Sequence, residues 1–334
     1  MSRLNYLPVN WVDGMKISKD NFINTENALS DKLYLSASVN LNAINYGILP
    51  IEPGEDSSID YSADLDDQKV INIRLLRCNA ITRGGILIDI DTLDNNKETS
   101  EVFSVKESVD LRNLNNGEYY IILTVNPFER VPVGAAHPDE KPPRNPNIIP
   151  KYTLSIVERE SISIKDIGNY FLPIGIVKII DEKPELTEKY IPPCTAVSSH
   201  DLLISFHNKL SEFWSQVEKD ILEIIEKIHL KRQKSTLSTS VHSVCLKLLD
   251  FISSHMLYHR WYFLHQPPIN MVAMIVQFSR LMRNTIETLP HKHKEELINY
   301  FTDWCNLRTG EFESLLFEAV NIKFNQENIL QTLG

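Results

Sequence analysis

Residues 191–230, IPPCTAVSSHDLLISFHNKLSEFWSQVEKDILEIIEKIHL, decide how the chain is organised. Pro192 and Pro193 lack amide donors and disfavour helical backbone before them, so the start of this stretch is expected to be extended. The polar residues that follow can accept hydrogen bonds from the first amides of a helix; they are Ser198, Ser199 and Asp201. The stretch therefore predicts an extended segment that leads directly into a long helix.

This helix carries a stripe of large apolar residues at helical spacing. Successive members are three, four, three, four, four, three and four residues apart, close to a heptad pattern. The stripe consists of Leu203, Phe206, Leu210, Phe213, Val217, Ile221, Ile224 and Ile228. So long an apolar face has to be covered, and two partners satisfy it equally: the next helix of the same chain, or copies of the same helix in an oligomer.

The composition is that of a globular protein, with 43% hydrophobic and 23% charged residues among 334. Its net charge of −10 argues against binding to nucleic acid, which requires a basic surface. The sequence has no apolar run long enough to span a bilayer and no apolar signal-peptide core, so direct membrane insertion is not expected. The four cysteines are scattered without a CxxC pair, which is typical of reduced thiols in a cytoplasm.

Proline and glycine divide the chain into two parts. Fourteen of the 17 prolines and nine of the 11 glycines precede residue 195, and long helical patterns follow. We therefore predict an α+β protein with two domains: a β-rich, sandwich-like domain over residues 1–195 and an all-α helical bundle over residues 196–334.

Alternating apolar runs predict the strands of the first domain. They cover residues 69–80, 86–90, 102–105, 119–125, 151–157 and 172–179. Before them, a short strand over residues 9–15 is expected to close in a turn at Gly14. A helix capped by Ser18 should then carry Phe22 on one face and end near Gly47.

Residues 127–150 contain seven prolines and predict a long loop. In the second domain, the helical patterns after the opening helix cover residues 241–264, 271–288 and 292–308, with a last piece from residue 312.

One pair of residues is suggestive of metal chemistry. His255 and His259 are four residues apart, so both imidazoles can face one point from a helix. The glutamate of an HExxH motif is missing, and the sequence contains no GxSxG elbow, P-loop lysine or GxGxxG turn. Packed histidines are the simpler interpretation, and a metal-dependent enzyme using His255 and His259 is kept as an alternative.

Four blocks of the sequence together resemble the TssK family, the baseplate subunit of bacterial type VI secretion systems. Each block alone is weak, but they occur in family order along the first 200 residues. They are NWVDGM at 10–15, RCNA at 77–80, LPIGIV at 172–177 and YIPPC at 190–194.

The resemblance implies a homotrimer with a β-rich shoulder, a helical neck and a C-terminal head. In the family the shoulder binds baseplate wedge proteins, and the head reaches the membrane complex. By position, the wedge-facing residues would be Trp11, Gly14, Met15 and Phe22. The oligomeric neck would contain the eight stripe residues from Leu203 to Ile228, which favours the oligomer of the two alternatives.

This sequence ends about where the family's head would begin, so contact with membrane-complex proteins would fall to the neck tip or to another protein. The expected function is a non-enzymatic baseplate adaptor without a cofactor, located in the cytoplasm and at the inner membrane when assembled. The rival within the same class is a receptor-binding or tail-tip protein of another phage-like contractile particle.

Overall fold

The computed structural model describes residues 4–92, 105–136, 138–161, 168–181, 183–187, 190–232, 235–305, 308 and 310–333. The chain divides into two compact units. Unit 1 contains Met1–His200 and Gln326–Leu330, and unit 2 contains Asp201–Asn325 and Gln331–Gly334. Strands lie in unit 1 and long helices in unit 2, so the predicted α+β class is confirmed.

Unit 1 begins with helix α1, Lys19–Ser38. Its start follows the prediction, because the amide of Ser18 donates to Asn21 Oδ1 over 2.8 Å. The predicted end at Gly47 is wrong. Asparagine side chains satisfy the backbone after the helix instead, as where Asn45 Oδ1 accepts from the amide of Asn42 over 2.7 Å.

The first sheet is built around its longest strand, β3, which pairs antiparallel with all four of its other strands. Alternate residues of β3 point into the core, where Ile71, Ile73 and Leu75 are buried. The strands are β1 Gly47–Ile48, β2 Ile59–Leu65, β3 Val70–Ile81, β4 Leu87–Asp91 and β5 Lys106–Asp110.

The second sheet is antiparallel with the strand order β7-β6-β8-β9. Its centre is strongly apolar, as the burial of Ile121, Leu123 and Val177 shows. The strands are β6 Gly117–Val133, β7 Asn147–Glu158, β8 Phe171–Ile180 and β9 Lys183–Leu186.

Three expectations for unit 1 need comment. Residues 127–150 do not form one long loop, because β6 and β7 extend into this region. After an irregularity in register, the two strands pair again, from Arg130 opposite Pro150 to Val133 opposite Asn147. The predicted strand over residues 9–15 is absent from the described residues, although the turn exists and the amide of Met15 donates to the carbonyl of Val12. Most of the strand predicted over residues 102–105 lies outside the described residues.

The chain leaves unit 1 through a tight crossing that we call the exit crossover, formed by residues 47–48 and 193–195. Ile48 donates to the carbonyl of Pro193 over 2.7 Å, and Thr195 donates to the carbonyl of Ile48 over 2.9 Å. Gly47 has a φ of +116°, and a Cβ there would lie 1.9 Å from the carbonyl oxygen of Pro193. Only glycine allows so close an approach.

Unit 2 is formed by long helices. The fully buried Trp214 lies at its centre, with its ring 5.0 Å from that of Phe278. No helix of the described residues is long and apolar enough to cross a membrane. The helices are α2 Asp201–Leu230, α3 Thr236–Trp261, α4 Ile269–Glu287, α5 His291–Cys305 and α6 Glu311–Val320; a short α7, Ile329–Leu333, begins in unit 1 and ends in unit 2.

Candidate interaction surfaces

The N-terminal segment is fixed to α1 by a buried carboxylate. Asp31 accepts from the amide of Tyr6 over 3.0 Å and also from the amide of Asn5. The ring of Tyr6 packs 4.5 Å from that of Phe128 on β6. These contacts hold residues 5–6 in place, so the segment that follows starts from a fixed point.

The following residues form an exposed apolar surface, which we call the N-terminal platform: Trp11, Val12, Ile17 and Phe22. The side chains of Trp11 and Phe22 are 46% and 57% exposed, and their rings lie 6.2 Å apart. Large apolar groups exposed together in this way mark an interaction site more often than isolated ones do.

The other two predicted wedge-facing residues lie beside the platform. Gly14 is exposed with a φ of +78°, which allows the turn, and Met15 is partly buried. The structure therefore places Trp11, Gly14, Met15 and Phe22 in one region of unit 1.

A polar contact joins α1 to β6 beside the platform. Arg130 on β6 donates to Glu26 over 2.7 Å and to Asn27 over 3.0 Å. On the same face of α1 as Phe22, Leu29 and Leu33 are also exposed. Their helical spacing places them on one face with Phe22, but it does not say whether that face is covered.

The predicted α2 stripe separates into two neighbouring strips. Leu203, Leu210 and Ile221 are buried within unit 2, on the side of α2 that also buries Trp214 and His207. That side packs on α3, whose buried residues include Val244, Leu248 and Ile252. The intrachain partner that the periodicity left open is thus present for this strip.

The second strip consists of Phe206, Phe213, Val217 and Ile224, and we call it the α2 strip. At 3.6 residues per turn these four lie on one line along the helix. Phe213 is 48% exposed and Ile224 is 37% exposed, while Phe206, Val217 and the neighbouring Ile228 are partly buried. The α2 strip is therefore an apolar surface that unit 2 covers only in part.

The two histidines proposed for metal chemistry do not converge on one point. His255 stacks on Phe251, with ring centroids 4.1 Å apart, and its Nδ1 lies 2.8 Å from the carbonyl oxygen of Phe251. His259 instead stacks on His207 at 4.3 Å. Among the described residues, no group of three or more His, Cys, Asp or Glu side chains could hold a metal ion.

The stacked pair has an unusual electrostatic environment. His259 Nε2 lies 2.8 Å from Ser211 Oγ, and burial lowers the pKa of His259 to about 4, with further lowering from His207 and Arg260. His259 is thus held neutral near pH 7, and the stacked pair links α2 to α3 as a packing element.

The RCNA block forms part of β3 rather than an exposed site. Cys78 and Ala80 are buried in the core. On the other face, Arg77 forms ion pairs with Glu55 at 3.4 Å and with Asp91 at 3.5 Å. This block therefore serves the sheet and its charge balance.

A group of aromatic residues at the end of α3 is also exposed. Tyr258, Trp261 and Tyr262 are all more than one-third exposed, and the rings of Tyr258 and Tyr262 stack at 5.2 Å. The sequence showed the aromatics but not whether the bundle covers them.

No protein-family model matches the sequence, and no curated protein matches it in a sequence comparison. Solved structures do match. A crystal structure of TssK matches with a TM-score of 0.52 and 15% identity over 81% of this chain, which spans only 60% of that chain. TssK from the type VI secretion system of EAEC, solved with a nanobody, matches with a TM-score of 0.51 and 14% identity over 92% of this chain and 96% of the other.

A third structure, the TssK-TssF-TssG baseplate subcomplex of a type VI secretion system, gives a TM-score of 0.50 and 14% identity over 98% of both chains. The architecture is therefore one found among type VI secretion baseplate structures. More particularly, the chain has a TssK-like fold.

Proposed function

We propose that this protein is a structural adaptor of a type VI secretion baseplate, acting as a homotrimer that connects wedge proteins to an envelope anchor. The main support is the TssK-like fold, which extends across both units. In this proposal unit 1 is the shoulder domain and unit 2 the neck domain. The adaptor has no enzymatic activity and no cofactor, and it assembles in the cytoplasm at the inner membrane.

The α2 strip supports the trimer. Unit 2 buries Leu210 but leaves Phe213 48% exposed, although the two residues are only three positions apart on α2. Burying Phe213 and Ile224 against the same residues of two further copies would remove this apolar surface from water. A closed threefold arrangement repeats one contact between copies three times and leaves no copy of that contact unpaired.

The N-terminal platform supports contact with wedge proteins. Its aromatic pair, Trp11 and Phe22, is exposed, and Phe22 lies on α1, which Arg130 contacts, so this part of the surface is already ordered before a partner binds. Exposed tryptophan is the residue type most often found at the energetic centre of an interface. The similar TssK-TssF-TssG baseplate structure contains TssF and TssG, and we propose the corresponding wedge proteins as the partners.

Three copies make this contact effective. When the trimer presents three identical platforms, the second and third contacts form at a high effective concentration, so individually weak contacts add up to stable attachment. Contact with membrane-complex proteins would fall to the tip of unit 2 or to another protein.

The test is co-purification from cells that carry the complete secretion system. Tagged wild-type protein should capture the wedge proteins, and a Trp11→Ala, Phe22→Ala double variant should lose them while it still folds and assembles. If neither the wild-type nor the variant chain captures wedge proteins while the trimer is intact, the adaptor function is contradicted. Binding to the surface of target cells instead would favour the tail-tip protein.

A further inference from the structure

The chain returns to unit 1 near its C-terminal end and places a polar side chain in the interior. Gln326 is only 4% exposed, and it belongs to unit 1 although the residues before it belong to unit 2. Three residues later, Ile329 is fully buried in unit 1. Between them Glu327 and Asn328 are partly exposed, so the segment is held by two inward-pointing side chains.

Gln326 binds directly to the exit crossover. Its Nε2 donates to the carbonyl oxygen of Cys194 over 2.7 Å and to that of Tyr46 over 3.2 Å. A side-chain amide suits these two acceptors because one nitrogen carries two N–H groups in a fixed plane. The acceptors are themselves fixed, since Gly47 and Pro193 are in close contact at this point.

The carboxylate of Glu327 acts electrostatically on the same region. Burial raises the pKa of the Tyr46 phenol, and the carboxylate of Glu327 raises it further. Glu327 acts in the same direction on Tyr120, after burial. These effects agree with the hydrogen bond that joins Gln326 to the carbonyl of Tyr46.

The hydrogen bonding of the Gln326 side chain is incomplete. Gln326 Oε1 is buried and has no hydrogen-bond partner among the described residues, and the same is true of the hydroxyl of Tyr190. An unpaired buried acceptor offsets much of the stabilisation from the two hydrogen bonds. Such a segment can be held in place and still be released without unfolding the sheets.

We propose that the exit crossover is a peptide-binding site, and that its ligand is a glutamine followed three residues later by a large aliphatic residue. This chain's own residues Gln326–Leu330 occupy the site as a releasable latch. The latch fixes the returning chain at the point where the chain also leaves unit 1, since Cys194 takes part in both. This inference goes beyond the baseplate function and does not depend on it.

Hydrogen–deuterium exchange on the full chain tests the latch. Gln326→Glu keeps the shape of the side chain but removes both donors and sets a carboxylate against two carbonyls. Exchange of the amides of residues 327–330 should rise at least tenfold, while that of β3 and β8 stays the same. Gln68→Glu, the same change at an exposed turn, should have no effect on the segment. Unchanged exchange in residues 327–330 of the Gln326→Glu chain would overturn the proposal.

Binding of a free peptide tests the site itself. A fluorescent peptide of residues 321–334 should bind the Gln326→Glu chain at least tenfold more tightly than the wild-type chain, whose site is filled. The same peptide with glutamate at position 326 should bind at least tenfold more weakly. If the two peptides bind the Gln326→Glu chain equally tightly, or if neither binds it, the site does not recognise glutamine and the proposal is contradicted.

If Gln326→Glu does not fold, the wild-type chain answers the same question. A latch opens locally, so the amides of residues 327–330 should exchange at least tenfold faster than those of β3 and β8. If the amides of residues 327–330, β3 and β8 all exchange at the same rate, the segment is part of the core and the proposal fails.

Discussion

The N-terminal platform and the α2 strip both expose large apolar side chains, but their neighbours differ. The platform is formed by the segment before α1 and by Phe22 of α1, a helix that makes polar contacts such as that of Arg130 with Glu26. The α2 strip runs beside a fully buried strip of the same helix, which includes Leu210 and Trp214. The comparison teaches that apolar periodicity indicates a face that needs a partner, without saying which residues the chain itself covers.

The largest effect is expected where α2 is covered by its own chain. Trp214→Ala removes a fully buried indole between Phe251 and Phe278, so the free energy of unfolding of unit 2 should fall by about 3–5 kcal/mol. Phe213→Ala, the adjacent aromatic residue, is the matched control and should cost about 1 kcal/mol or less in the monomer. Urea unfolding measures both, and equal losses would erase the distinction between the two strips.

The α2 strip itself should respond through assembly. Phe213→Asp sets a charge in the proposed interface between copies. The dissociation constant of the trimer should therefore rise at least a hundredfold, or about 3 kcal/mol, while α-helical content stays the same. Lys219→Asp also introduces an acid, but on the exposed side of α2, and it should leave the trimer intact. Native mass spectrometry separates these outcomes, and a stable trimer of Phe213→Asp would exclude this strip as the interface.

The histidine pair tests how firmly the buried side of α2 is held. Unfolded His259 binds a proton near pH 6.5, but the folded residue resists protonation until about pH 4. The unfolded state therefore binds more protons within this window, and stability should fall by at most about 3 kcal/mol as the pH drops through it.

Urea midpoints at pH 7 and pH 5 measure this change. His259→Phe should reduce the pH dependence. A pH dependence unchanged in His259→Phe would assign the effect to other groups.

The smallest effect is expected at the platform. Trp11→Ala removes an exposed ring, so the free energy of unfolding should stay within about 0.5 kcal/mol of wild type. Capture of wedge proteins should weaken about tenfold, or roughly 1.4 kcal/mol. Trp261→Ala, at a tryptophan of unit 2 that is even more exposed, should capture them normally. If both variants lose capture equally, the platform has no special part in it.

The fold could be predicted from the sequence to a considerable extent. The alternation around Ile71 and Ile73 predicted β3, and the prolines before Cys194 predicted the extended entry to α2. Local pattern sufficed there because each side chain's direction is fixed by its own strand or helix. The strands within residues 127–150 were missed, because pairing of Val133 with Asn147 depends on the partner strand and overrides the prolines.

The surfaces were harder to predict. The stripe from Leu203 to Ile228 was found, but its division into a buried and an exposed strip depends on how α3 packs, which local periodicity does not contain. Gln326 was missed for a similar reason. Its partners at Tyr46 and Cys194 are distant in sequence, and a lone polar residue near a chain end carries no pattern.

The solution mass of the purified full chain, measured by light scattering on a sizing column, tests the adaptor proposal most directly. The account predicts three times the mass of one chain, unchanged by dilution through the micromolar range. A mass of one chain at every concentration would contradict it, because the α2 strip would then need no second copy and the three-platform attachment to the baseplate could not form.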